Sequence, residues 1–328
     1  MAHNHEEILN KVHEALEAKE LNFEAKMAET YALVNGVYVP TGSFTPVRTD
    51  KTGPESIITG KGFSDHYTPI QNEEAFSVLG EMADIAEIEF INVGSWGNGS
   101  GIFAQISIGD AMEVGPNKDR VGKYISLVNS HDGTRALQLL VTPFRFFCQN
   151  QISKAIKDAT KNNRLISIHH NIYGAQRLQE LAHAVTVAND IFTDSEENYK
   201  RLADRKVTMN EVREVMARCL PLPTHYWRGV SERTEKLWEK HIGEMVQRFQ
   251  DADNGNTEKM TGWNLYNAVQ GWNQHNTKKT ATYEKSLLLG KIANFSENSL
   301  AIVNSVLFEG DNAKTSSKEF DEIFKKVA

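Results

Sequence analysis

The chain has 328 residues, with 40% hydrophobic and 24% charged side chains. Those are the proportions of a globular protein with a proper core, in one large domain or two ordinary ones. Its formal net charge of −7 excludes a binder that is basic throughout, so any phosphate-binding surface must be local. Two cysteines, Cys148 and Cys219, sit in no CxxC or Cys/His spacing. That excludes a zinc or disulfide framework and fits a reducing cytosol. No stretch approaches the ~20 apolar residues of a membrane span. The opening MAHNHEEILNKVHEAL has neither the apolar core nor the cleavage site of a signal peptide. The expectation is a cytoplasmic protein with no membrane contact.

Residues 3–28 read as an acidic helix, with Ile8, Val12, Ala15 and Leu16 at helical spacing. Strand texture follows from Thr30. TYALVNGVYVPT carries Asn35-Gly36 between two apolar runs, which signals a hairpin. HYTPIQNEEAFSVLGEMAD passes from an extended piece into a helix for which Asn72 reads as the N-cap. EIEFINVGSW and GIFAQISIGD read as two strands around GNGSG; no helix start or Lys-Ser/Thr follows, so the glycines read as a turn rather than a phosphate loop. In KYISLVNSHDGTRALQLLVTPFRFFCQNQISKAIKDATK the pattern is strand, Asp132-Gly133 turn, strand, and a helix after Pro143. Both strands are apolar at nearly every position, so both faces are expected to be covered. In the expected helix, Phe146, Phe147, Ile152 and Ile156 form the buried stripe, and Cys148 reads as a small buried hydrophobe. Beyond His170 the texture is helical, interrupted at Pro221 and Pro223. The expected organisation is α+β: an N-terminal acidic helix over 1–29, an antiparallel β-rich core with helices over 30–170, and a helical region over 171–328, packed on the core or separate.

Four blocks carry a resemblance: VRTD at 47–50, HYTPIQNEEAF at 66–76, NSHDGTRALQLLVTPFRFFCQN at 129–150 and TGWNLYNAVQGW at 261–272. They resemble the signature blocks of a phage- and plasmid-borne family known as domain of unknown function nine-thirty-two. The resemblance implies a mobile-element setting beside replication and recombination genes, and no settled activity. A more distant likeness, in the order of hairpin and basic helix alone, is to single-strand annealing proteins.

Charge is distributed unevenly. Between Lys118 and Glu180 ten basic side chains face four acidic ones, a surplus of six that leaves −13 for the rest of the chain. Lys154, Lys157 and Lys161 share one face of the expected helix, a row that can track phosphates or be an ordinary solvated face. Lys123, Arg135, Arg145 and Arg164 flank it, and Tyr124 and Phe144 are candidates to stack on bases. A hairpin tip bearing His131 and Arg135 can enter beside DNA. The pattern therefore points to single-stranded DNA binding and annealing without cofactor or catalytic residue. The expected partners are DNA, other copies of the chain, and phage or host replication and recombination proteins.

Two other readings stay open. One is a metal-dependent nuclease or phosphohydrolase built on His131, Asp132, His169 and His170. The other is a protein-binding phage factor that inhibits a host defence, with the acidic N-terminal helix as its contact. Asp132-Gly133 has its own conformational reason to sit in a turn. Asp65-His66 reads first as a surface pair, and His169-His170 as surface or helix-start histidines. Trp263, Tyr266 and Trp272 among Asn264, Asn267, Gln270, Asn273, Gln274 and Asn276 read as a polar interface between helices before they read as a base-binding surface.

Overall fold

A computed structural model describes residues 2–145, 167–171, 173, 178, 184–221, 231–276, 291–309 and 318–328. It is an α+β fold with antiparallel sheets and a helical C-terminal half.

Helix α1 (Ala2–Ala18) buries Ile8, Val12 and Leu16, the four-residue stripe that its sequence predicts. It ends ten residues earlier than expected. Glu20 adopts a left-handed φ of 53°, and from Leu21 burial alternates: Leu21, Phe23 and Ala25 are inside, Asn22 and Glu24 outside. That two-residue period belongs to a strand, and β1 (Ala25–Val34) starts there. It pairs with β2 (Val37–Arg48) through the Asn35-Gly36 turn. Asn35 and Gly36 have φ of 51° and 84°, as both central positions of a type I′ turn require.

Helix α2 (Asn72–Ile85) packs on α1 and buries Phe76, Leu79 and Met82. Its N-cap is Gln71, whose side chain caps nothing. Asn72 is already inside the helix and points into the protein, which corrects the expected cap. The main sheet runs β3 (Ile88–Trp96), β4 (Gly101–Ile108), β6 (Asp119–Ser130), β7 (Leu137–Arg145), β8 (Ser167–Ile168), all antiparallel, with β5 (Met112–Val114) paired to the start of β6. Strand β7 runs through Pro143 to Arg145, so Phe144 and Arg145 are strand residues, against the expectation of a helix there. The rest of that expected helix lies outside the described residues. Ile102, Ile106, Ile125, Leu127, Leu137 and Leu139 join α1 and α2 in one core. Phe103, Val128 and Leu140, on alternate positions, are buried as well, so both faces of the central strands are covered.

The helical half contributes α3 (Ala184–Asp204), α4 (Met209–Cys219), α5 (Glu232–Gln250), the short α6 (Ala252–Gly255), α7 (Gly262–Asn276), α8 (Lys291–Phe308) and α9 (Lys318–Val327). Thr208 and Glu211 form a capping box at α4, and Ser231 caps α5. Pro221 follows α4 as the stop that its sequence predicts. Helix α7 is buried from Gly262 to Gln274. Its amides reach neighbouring backbone: Asn273 Nδ2 donates to Ile292 O at 3.3 Å, and Gln270 Nε2 to Ser296 O at 3.3 Å. The aromatic and amide residues of this block therefore knit helices together.

A second core, around Trp238, Met245, Phe249, Trp263 and Val303, takes in Met112, Val114 and Val121 from the sheet. At this seam Trp263 Nε1 donates to Asp119 Oδ2 at 2.9 Å, with both side chains buried. Hydrogen bonds to buried charges are among the stronger ones. Trp263→Phe is expected to lower unfolding free energy by about 1.5–3 kcal/mol, read as a shifted urea midpoint at unchanged helix content.

Candidate functional site beneath the β6–β7 turn

The strongest concentration of buried polar chemistry lies where the start of α2, the end of β6 and residues 167–171 meet. Asn72 is at its centre. Its Nδ2 donates to Leu21 O at 3.0 Å, which orients its Oδ1 as an acceptor. That oxygen receives Asn129 Nδ2 at 3.0 Å and His131 Nε2 at 3.0 Å. His131 is thus protonated on Nε2, and its Nδ1 is an acceptor. Asn129 Nδ2 also donates to Ile70 O at 2.9 Å. The Ile70 backbone N–H donates to His170 Nδ1 at 3.1 Å, so His170 carries its proton on Nε2.

The two imidazoles meet edge to face with centroids 6.0 Å apart. Tyr67 stacks on His170 with centroids 5.5 Å apart and rings nearly parallel, and Phe63 lies against Tyr67 at 4.5 Å. His131 Nδ1, His170 Nε2 and Asn129 Oδ1 are buried without a hydrogen-bonding partner. One donor and two acceptors are therefore gathered in a single desolvated place.

His131 is 0% exposed. Burial, reinforced by neighbouring His170 and opposed by Asp132, drives its pKa down to about 3. Burial, then His169, brings His170 down to about 4. Both rings are neutral at physiological pH. Burial first, then the Asp132 charge, raises the Tyr67 phenol. Arg135 is half-buried; desolvation lowers its pKa, and Asp132 opposes that.

The turn itself is closed by Asp132. Its Oδ1 accepts Ser130 Oγ at 2.8 Å and the Thr134 backbone N–H at 2.9 Å, with the Thr134 hydroxyl also in contact. This is an Asx turn. Gly133 completes it at φ 65°, with the Phe63 ring 2.3 Å from where a Cβ would stand. Lys61 Nζ donates to Asp132 O at 3.3 Å from outside.

The expected site residues fall into three groups. His131 is at the root of the turn with its ring inward, which corrects the expectation of a histidine offered at a hairpin tip; its bond to Asn72 and the burial of the ring are the reason. Lys123 and Tyr124 are half-buried neighbours on β6, and burial, then Glu89, raises the Tyr124 phenol. Arg145 ends β7, paired with Val121, and its side chain is outside the described residues, as is that of Phe144. Lys154, Lys157, Lys161 and Arg164 also lie outside the described residues. Of the four residues expected to bind metal in the enzyme reading, His169 is exposed while His131, Asp132 and His170 are buried, which corrects the surface reading of His170: its ring sits under Tyr67 and accepts from the Ile70 backbone N–H. Among the described residues no three His, Cys, Asp or Glu side chains come together as a metal-holding group. Asp65 and His66 are exposed, as expected. Sequence reasoning missed Asn72, Asn129 and Tyr67 as members of this cluster. Its only signal was that HYTPIQN and NSHDG both belong to the blocks of the resemblance.

Two outcomes follow. Both histidines have a folded pKa below the unfolded value of about 6.5, so protons favour the unfolded chain. Their contribution is intact above pH 7 and is lost as pH falls through 6.5 toward 4 and 3. Stability should fall by about 2 kcal/mol per histidine by pH 5, and His131→Gln should remove one histidine's share from the slope of urea midpoint against pH. Gly133→Ala meets both a left-handed backbone and the Phe63 ring, and should cost about 1–3 kcal/mol, read as a lower Tm.

Comparison with known proteins adds one match. No curated protein matches the chain, and no solved structure does. The pattern of one family, described as domain of unknown function (DUF932), matches residues 61–295, which span both the buried cluster and the α7 seam. The chain belongs to that family.

Proposed function

We propose that the chain binds and anneals single-stranded DNA for a phage or plasmid, in the host cytoplasm, during recombination or replication and without a cofactor. The observation that carries this reading is the charge asymmetry. The surplus of six positive charges between Lys118 and Glu180 lies in a chain whose remainder is −13. The segment starts at the turn before strand β6, on which Arg120 is exposed and Lys123 and Tyr124 are half-exposed. A strand held by its phosphates with its bases left open to a complement needs local positive charge and stacking faces, and no proton transfer. No helix of the described residues is long and apolar enough to cross a membrane.

The buried cluster supports the same choice against a hydrolytic one. A general base must reach its substrate and titrate near the working pH. His131 is fully enclosed, and Asp132 Oδ1 is engaged in closing its own turn.

The test is an anisotropy titration with labelled single- and double-stranded oligonucleotides at two salt concentrations, with and without chelator, followed by a strand-pairing assay. Single strands should bind more tightly, remain intact, and pair faster with protein present. Joint replacement of Lys154, Lys157 and Lys161 by alanine should reduce the salt slope by about 2 if all three meet phosphates. Absence of binding at low salt would remove the reading.

A further inference from the structure

The outer part of the β1–β2 hairpin stands apart from both cores. Its base is held: Phe44 and Val47 of β2 form bridges to Phe63 and Ile57, and Arg48 donates to Asp50 at 2.6 Å and to Glu20 O at 2.8 Å. A register shift after Glu29, opposite Thr41, Gly42 and Ser43, separates that base from the outer arm. Beyond it Tyr31 faces Pro40, Ala32 faces Val39, Leu33 faces Tyr38 and Val34 faces Val37. Alternation along a strand places Tyr31, Leu33, Tyr38 and Pro40 on one side and Ala32, Val34, Val37 and Val39 on the other. Both sides are apolar, and both are open: Tyr38 is 73% exposed, Leu33 63% and Val37 62%. A two-stranded ribbon with no covered face is marginal in water by itself, and a contiguous apolar patch of this kind marks a contact surface.

We infer that this arm, residues 31–40, is the surface through which two copies of the chain associate, arm packed against arm about a twofold axis. Charge selects the occupant. From Thr30 to Val47 there is no charged residue, so the arm has nothing to offer phosphates or an anionic lipid surface. The chain as a whole is −7, and two copies repel over their bodies; the neutral arm is where they can approach. The side that bears Tyr31, Leu33 and Tyr38 exposes on the order of 400 Å² per arm, so a pair that covers that side removes about 800 Å², a size that suits a weak, reversible contact. The self-pairing is isologous, because each copy presents the same patch to the other. This inference does not rest on the DNA-binding reading.

Sedimentation velocity of the full chain from about 1 to 100 µM, without nucleic acid, tests it; that range brackets the affinity expected for an interface of this size. The expected species at the upper end has at least twice the 36.9 kDa chain mass, and its fraction rises with concentration. Leu33→Lys with Tyr38→Lys should shift the dissociation midpoint upward by at least about tenfold, since a buried unpaired charge costs more than the interface gains there. Both positions are exposed, so the melting temperature of the variant confirms that the body still folds. Tyr38→Cys gives an independent reading: oxidation should yield a covalent dimer on a non-reducing gel, beyond that of the unaltered chain. A chain that stays monomeric throughout the range overturns the inference, and so does a doubly substituted variant that associates as before. A monomer whose substituted arm loses oligonucleotide or vesicle binding reassigns the arm to that ligand and also overturns it.

Discussion

The side-chain amide of Asn72 sits in the first turn of α2 and makes three hydrogen bonds inside the protein: to the backbone where α1 hands over to β1, to Asn129 near the end of β6, and to His131 at the root of the next turn. A buried amide is costly unless every part of it is used. Once used, it fixes distances among segments far apart in sequence. Leu21, Asn72, Asn129 and, through Ile70, His170 are held in one register by a group that has few alternative arrangements. The packing of α1 and α2 on the sheet, and the height of the β6–β7 turn above it, both depend on that register.

The same constraint explains how two histidines come to be buried here as neutral rings. A neutral imidazole offers one donor and one acceptor in a rigid plane. His131 spends its donor on Asn72, and His170 spends its acceptor on the backbone N–H of Ile70. Burial then keeps both rings uncharged, since a proton added to either would be stranded in a desolvated place. Asp132, one residue on, turns its carboxylate to its own loop. Side chains that look in sequence like a hydrolytic pair are consumed by architecture, each with a different partner. The second core is tied to the first by a different device, a tryptophan N–H on a buried carboxylate at Asp119, placed at the one end of the sheet where β5 and β6 enter the helical half.

What could be read from sequence follows from how local each determinant is. Asn35-Gly36, the glycines at 97–101 and Asp132-Gly133 were legible as turns because the requirement for a left-handed backbone is met within two residues. The stripe of Ile8, Val12 and Leu16 was legible because a helix face needs only spacing. The end of α1 was not. Residues 19–28 are rich in helix formers, and only the alternation of Leu21, Phe23 and Ala25 spoke for a strand; the strand forms because the core has places for those three side chains. Asn72 was misread for a related reason. Capping is a local preference, and here a tertiary partner outbid it. The buried cluster as a whole was illegible, because its residues come from four segments whose meeting no spacing rule predicts. The α+β class and the helical second half needed only texture, and the structure has both.

Charge and hydrophobicity are distributed unevenly along the chain. On the proposed reading, a positive segment meets phosphates while the remaining −13 repels them, so the affinity of one copy for a strand is set by few contacts against an unfavourable background. A protein built that way gains most from assembly, because each added copy contributes its contacts at a high effective concentration once the first is bound. Assembly between acidic bodies in turn requires a contact that does not set like charges against each other. The outer β1–β2 arm meets that requirement: it lies within an uncharged run of eighteen residues, from Thr30 to Val47, and a register shift separates it from the base that is held to the body. On the two proposals together, the acidity that limits a single copy's grip on DNA has the same physical remedy as the exposed arm, namely a second arm.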